Sequence, residues 1–270
     1  MKKNSVDMAY SFEKIRSFNR LPGRPGRGYE VGVYAQPIVD LKNPDRKQYE
    51  ILSRFETSFD DPNATERIFN ELETTNEIID HDIDMLRRAH LVLSFLATKI
   101  PKDKLPYLSV NLSPKTLSSH TFTLALKSIL RDEPFVGPYL IAEITERYDF
   151  DDPARAAHNL QDLHDAHIEI SQDDVPEGEC AGLKHLTTRG LITSVKMIEG
   201  GELQLTAIAG QAFNPMDYKR VLEKIETVEM AEKAMEQGFD KGQGWHFGRP
   251  VEIDSIVNQI LEENSKDKLL

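Results

Sequence analysis

Short apolar or alternating runs recur along the chain at spacings that read as strands, and most are followed by longer stretches with helical periodicity. The strand candidates cover 33–39, 49–55, 107–112, 140–144, 168–172, 192–197, 219–225 and 242–247. The helix candidates cover 65–75, 79–98, 114–131, 153–166, 179–187, 203–212, 228–237 and 253–262. An eight-fold recurrence of strand and helix over about 240 residues predicts an α/β fold, a (β/α)8 TIM-like barrel. The competing architecture is an open doubly wound sheet, which carries a glycine-rich turn after its first strand. No such turn follows Val39.

The ends break this pattern. The first 28 residues carry seven Lys/Arg against two Asp/Glu and close on Leu21-Pro22-Gly23-Arg24-Pro25-Gly26-Arg27-Gly28, a run unable to sustain a regular element. Residues 1–28 are therefore read as a basic arm or linker, 29–263 as the barrel domain and 264–270 as a C-terminal tail.

Composition narrows the function. At 270 residues and 39% apolar content the chain can bury a full core. A net charge of -12 and a pI near 5.2 exclude a general nucleic-acid binder, which needs a basic face. The longest apolar stretch, around 91–97, is too short to span a bilayer, and no apolar segment follows Lys2 and Lys3. The expectation is a cytoplasmic protein without membrane contact. One cysteine, Cys180, excludes an internal disulfide and thiolate metal capture; no role is assigned to it.

Polar residues stand where a barrel places its chemistry. Glu50, Asn111, Glu143, the pair Asp173 and Asp174, Lys196, Glu223 and Gln243 fall at or near the carboxyl ends of strands two to eight. Any one of them alone reads as a solvated loop residue. Together they are harder to dismiss, because Glu50 in YEILSRF, Glu143 in LIAEITE and Lys196 in ITSVKM each interrupt an apolar run where desolvation is costly. Five carboxylates converging on one mouth repel by about 4 kcal/mol per close pair at an effective dielectric near 20. Protons or cations must relieve that repulsion. Oxygen donors without Cys or His suit magnesium or manganese rather than zinc. Two such ions clamp the attacking and leaving oxygens of a phosphodiester, and an adjacent lysine can orient a water.

The order of these motifs resembles the EAL domain family of cyclic-di-GMP phosphodiesterases, from about Tyr34 to Pro250. The stretch YEALLR appears as Tyr49-Glu50-Ile51-Leu52-Ser53-Arg54, preceded by Gln36-Pro37-Ile38-Val39, and SVNLSP is intact over 109–114. ELTE appears as Glu143-Ile144-Thr145-Glu146, DDFG as Asp173-Asp174-Val175-Pro176, and KID as Lys196-Met197-Ile198. EGVET becomes Glu223-Lys224-Ile225-Glu226-Thr227, and QGYLFGRP becomes Gln243-Gly244-Trp245-His246-Phe247-Gly248-Arg249-Pro250. The resemblance implies an EAL-type barrel that hydrolyses cyclic-di-GMP to linear pGpG with two Mg2+ or Mn2+ ions. It implies Glu50, Asn111, Glu143, Asp173, Asp174 and Glu223 as metal ligands, Lys196 as holder of the nucleophilic water and Glu226 as a further member of the catalytic pocket. Gln36, Arg54 and Gln243 match residues that hold the dinucleotide, and Glu146 matches one that braces the loop after strand five. Homodimers are possible by the same resemblance.

The chain departs from the family in the loop over 175–182, at Ile198, where the family has aspartate, and at Lys224, where it has glycine. Only 26 residues separate Lys196 from Glu223, so the sixth helix is expected to be short. These departures keep a second function open, a catalytically inactive barrel acting as a cyclic-di-GMP receptor or binding a protein partner. A third is a phosphodiesterase for a different cyclic dinucleotide. Trp245 fits a base-stacking or a rim-packing role equally. His81-Asp82 is read as a polar helix face, and His158, His164 and His167 as surface residues.

Overall fold

The computed structural model describes residues 19–20, 30–55, 63–131, 133–175, 190–198 and 218–266. The helices expected over 179–187 and 203–212, Cys180, most of the altered loop and most of the basic arm lie outside them. Among the described residues ten strands form one sheet: β1 (Asn19–Arg20), β2 (Glu30–Asp40), β3 (Lys47–Phe55), β4 (Tyr107–Leu112), β5 (Leu140–Ile144), β6 (Glu169–Val175), β7 (Ser194–Met197), β8 (Lys219–Leu222), β9 (Lys241–Gln243) and β10 (Val251–Glu252). From β3 to β9 each strand lies parallel to the next, and β9 returns to β2 through Ile38 opposite Gln243 and Asp40 opposite Lys241. That pairing closes an eight-stranded barrel, β2 to β9, as the sequence pattern predicts.

One feature departs from strict alternation. β2 runs antiparallel to both its neighbours, β3 and β9. Six residues join β2 to β3, too few for the crossover that a parallel pair requires. The Asp40 side chain closes this turn by accepting from the Lys42 and Asn43 amides at 3.0 and 2.8 Å. β10 and β1 cover the rest of β2, so its edge is not left open.

The described helices are α1 (Ala64–Thr75), α2 (Ile78–Ala97), α3 (Pro114–Leu117), α4 (His120–Leu130), α5 (Pro153–Asp165), α6 (Val228–Glu236) and α7 (Ile253–Lys266). The single helix expected over 114–131 is split. Ser119 adopts an extended conformation and its hydroxyl accepts from the Thr121 amide, so it starts a new helix where a continuous one was expected. Asn159 on α5 holds the split in place, donating to the Leu117 and Ser119 carbonyls and accepting from Thr123 Oγ1 at 2.5 Å. α7 runs four residues beyond its expected end.

The core lies between the strands' outer faces and the helices. On α2, Ile78, Met85, Ala89, Val92 and Leu96 follow helical spacing and are buried, with Leu86 and Leu93 alongside. Each large apolar side chain so buried contributes roughly 1.5–3 kcal/mol. Inside the barrel the strands carry small or polar residues, Ser109, Ser171, Ser194 and Lys196 among them, all buried. That choice leaves room for the site.

Candidate functional site

The interior face of the barrel gathers the predicted stations around one ammonium. Lys196 Nζ, on β7, lies 3.2 Å from Glu50 Oε2, 3.1 Å from Glu143 Oε2, 2.8 Å from Asp173 Oδ1 and 3.1 Å from Glu223 Oε1. The lysine is 2% exposed, so these four carboxylates are its surroundings. Glu50 also accepts from Asn111 Nδ2 at 2.7 Å and from Gln243 Nε2 at 2.6 Å. Gln243 is 3.4 Å from Gln36 Oε1, and Gln36 in turn donates to the Gly248 carbonyl.

Local backbone irregularities aim these groups. The register of β6 slips between Gln172 and Val175, and Asp174 adopts a φ of 43°, so consecutive aspartates both reach the site. After β8, the Glu223 amide donates to the Met197 carbonyl, while Ile225 bonds to Gln243 and His246 through its amide and carbonyl. Lys224 between them is forced to a φ of 59°. This turn sends Glu223 to the cluster and Ile225 into the core.

Electrostatics follow from the crowding. Burial lowers the tendency of Lys196 to hold its proton, but the carboxylates of Asp173, Glu143, Glu223 and Glu50 outweigh it and lift the ammonium well above its ordinary value. Burial likewise pushes Glu50 up, yet Lys196 and the Gln243 and Asn111 amides overcome it and hold this carboxyl below the usual glutamate value. The others are not so well supplied. Burial, only partly offset by Lys196, raises Glu143 and raises Asp173 well above its ordinary value; Glu223, buried and hydrogen-bonded to Asp174, is pushed up to about 8. Without further positive charge the cluster holds protons.

The donor set fits a hard cation. Oxygen atoms of Glu50, Glu143 and Asp173 all lie within 4.8 Å of one another, as do those of Glu146, Asp173 and Asp174. Asn111 Oδ1 and Glu223 Oε2 are buried acceptors with no hydrogen-bond partner, an arrangement a cation would satisfy.

Two cavities flank the cluster. The larger, about 380 Å³, is bordered by Arg54, Asn111, Glu146, Asp173 and Asp174 and backed by apolar Phe69, Ile78 and Met85. The smaller, about 230 Å³, is bordered by Gln36, Glu223, Lys224, Glu226, Gln243 and Trp245. Every predicted site residue thus lies in the cluster or on a cavity wall. Arg54 is separated from Gln36, however, and Glu226 is an exposed wall residue rather than a neighbour of Lys196.

His81 and Asp82 correct the expectation of a polar helix face, being 4% and 3% exposed. His81 bonds Ser53 Oγ at 2.7 Å and Asp82 at 3.0 Å, and Asp82 also accepts from the Ser113 amide and Thr116 Oγ1. This network forms part of the larger cavity's wall. The signal for it was present: residues 81 and 82 sit in helical register with Ile78, Met85 and Ala89. His158 and His164 are exposed, as expected.

Fold and site together define a closed barrel whose mouth gathers carboxylates that could hold a metal ion. The EAL domain family model matches residues 26–250, and the chain belongs to that family. It is similar to the cyclic di-GMP phosphodiesterase PdeA of Borreliella burgdorferi, 24% identical over 81% of this chain and 34% of the relative. The chain spans about half or less of the length of the curated relatives it matches. Among solved structures it superposes on the PaMucR phosphodiesterase in complex with c-di-GMP, with a TM-score of 0.66, 20% identity and coverage of 93% of this chain and 98% of the other. The Klebsiella pneumoniae BlrP1 manganese and cyclic-di-GMP complex matches with a TM-score of 0.58, 19% identity and coverage of 86% of this chain and 57% of the other.

Proposed function

We propose that the chain is a magnesium- or manganese-dependent phosphodiesterase that opens cyclic-di-GMP to linear pGpG. The observation that carries this reading is the buried cluster of Glu50, Glu143, Asp173 and Glu223 around Lys196, with Asp174 bonded to it. Five ionised carboxylates against one ammonium leave four negative charges, which two divalent ions neutralise. Glu50, Asn111, Glu143, Asp173, Asp174 and Glu223 would hold them. When bound, the ions supply positive charge to the phosphodiester oxygens and make a water more acidic.

The protein's own groups do the rest. Lys196 keeps its charge and sits where it can orient the attacking water. Gln36 and Gln243 on one side and Arg54 on the other hold the two ends of the dinucleotide across the cluster, and Glu146 braces the chain near Asp174. The water oxygen bonds to phosphorus and gives up a proton, the bond from phosphorus to the ribose 3′ oxygen breaks, and the leaving oxygen takes a proton up, leaving a 3′ hydroxyl and a 5′ phosphate. The reading is tested by incubating purified protein with cyclic-di-GMP and manganese, with Glu50→Ala and EDTA as controls. Appearance of pGpG that both controls abolish supports it; no pGpG above the controls overturns it.

A second reading, a cyclic-di-GMP receptor without turnover, is favoured by one observation. Lys224 borders the smaller cavity beside Glu223, at a position where the family motif has glycine. Calorimetry separates the two: tight binding in EDTA with no turnover in manganese identifies a receptor.

A further inference from the structure

The smaller cavity contains a residue that backbone geometry alone would not select. Lys224 holds a φ of 59°, a left-handed conformation that glycine adopts without penalty and lysine does not. The conformation is imposed from both sides. Glu223 is tied to Met197, and Ile225 to Gln243 and His246, so the chain cannot relax around the side chain. A strained residue kept at the wall of a functional cavity points to a use for its side chain.

What surrounds Lys224 identifies that use. Trp245, on the same wall, is 55% exposed, and the Arg249 guanidinium lies 4.0 Å from its ring centroid. The indole is thereby steadied while more than half of it stays open to stack on a flat aromatic group. Gln36, Gln243 and Glu226 add amide and carboxylate groups to the same wall. Lys224 itself is exposed and borders the cavity, whereas Glu223 beside it turns into the buried cluster, so the two neighbouring residues serve different parts of the site. A stacking platform with a cation on the same wall suits a purine base that presents acceptors.

We propose that Lys224 reads the base of the substrate, strengthening the smaller cavity's preference for guanine over adenine. Guanine offers two adjacent acceptors, O6 and N7, to an ammonium; adenine offers N7 beside the N6 amino donor, which repels it. This inference rests on the cyclic-dinucleotide reading of the site.

The variant that tests it is Lys224→Gly. Glycine removes the side chain and relieves the strained conformation at once, so loss of the fold does not confuse the result. Dissociation constants for cyclic-di-GMP and for its adenine analogue, cyclic-di-AMP, are measured by calorimetry on wild type and variant. Wild type is expected to prefer the guanine dinucleotide, and the variant to lose roughly tenfold of that preference, the scale of one charge-assisted hydrogen bond. An unchanged ratio of the two constants, including equal weakening of both ligands as expected of a phosphate contact, overturns the inference while leaving the dinucleotide reading intact. Failure of wild type to bind either dinucleotide overturns both.

Discussion

Replacing Lys196 with methionine removes the one ammonium that four buried carboxylates share, with little change of shape. The nearest contact is 2.8 Å and the farthest 3.2 Å, and all five side chains are 12% exposed or less. Deleting one partner of a buried ion pair costs about 3–5 kcal/mol. At roughly 2–4 °C per kcal/mol for a chain of this size, the variant is expected to melt about 10 °C below wild type in EDTA at pH 8. The pH dependence follows from the raised carboxyls of Glu143, Asp173 and Glu223, which rise further without the ammonium. The folded variant then binds protons that the unfolded chain does not, so its stability increases as pH falls from 8 towards 6. Circular dichroism melts at both pH values, with and without manganese, read this directly. Acid and manganese should each recover part of the deficit. A melting temperature within 2 °C of wild type in EDTA at pH 8 would refute the view that Lys196 balances the cluster.

Manganese binding at pH 7 should release protons, because Glu223, at about 8 without metal, must give one up; calorimetry in buffers of different ionisation enthalpy shows this as a buffer-dependent heat, and identical heats would contradict it. Asp82→Ala strands the Ser113 amide, Thr116 Oγ1 and His81 Nδ1 and should lower stability by roughly 3–5 kcal/mol in urea unfolding. Gly244→Ala places a methyl 2.1 Å from the Ile225 carbonyl oxygen at a φ of 156°, and at least about 2 kcal/mol of stability should be lost in the same assay.

The cluster was legible because a carboxylate or lysine inside an apolar run is an anomaly that chain position alone reveals, as at Glu50, Glu143 and Lys196. The barrel was legible from the spacing of apolar runs. The direction of β2 was harder to read, since six residues between two strand patterns fix a hairpin only once its turn is recognised, and Asp40 is the residue that makes it one. Ser118 and Ser119 interrupted an otherwise continuous helical pattern, and the competition between a serine hydroxyl and the helix ladder decided in favour of a break. Ser53 and His81 meet across 28 residues, and no local pattern encodes such a pairing. Division of the site into two cavities likewise depends on three-dimensional placement, with Arg54 and Gln36 lining different cavities although their strands pair.

Crystals soaked in manganese, with data collected at the metal absorption edge, test the central claim most directly. Two anomalous peaks are predicted within coordination distance of Glu50, Asn111, Glu143, Asp173, Asp174 and Glu223. Absence of any peak within coordination distance of these residues, at manganese concentrations that support hydrolysis by a related phosphodiesterase, would contradict it.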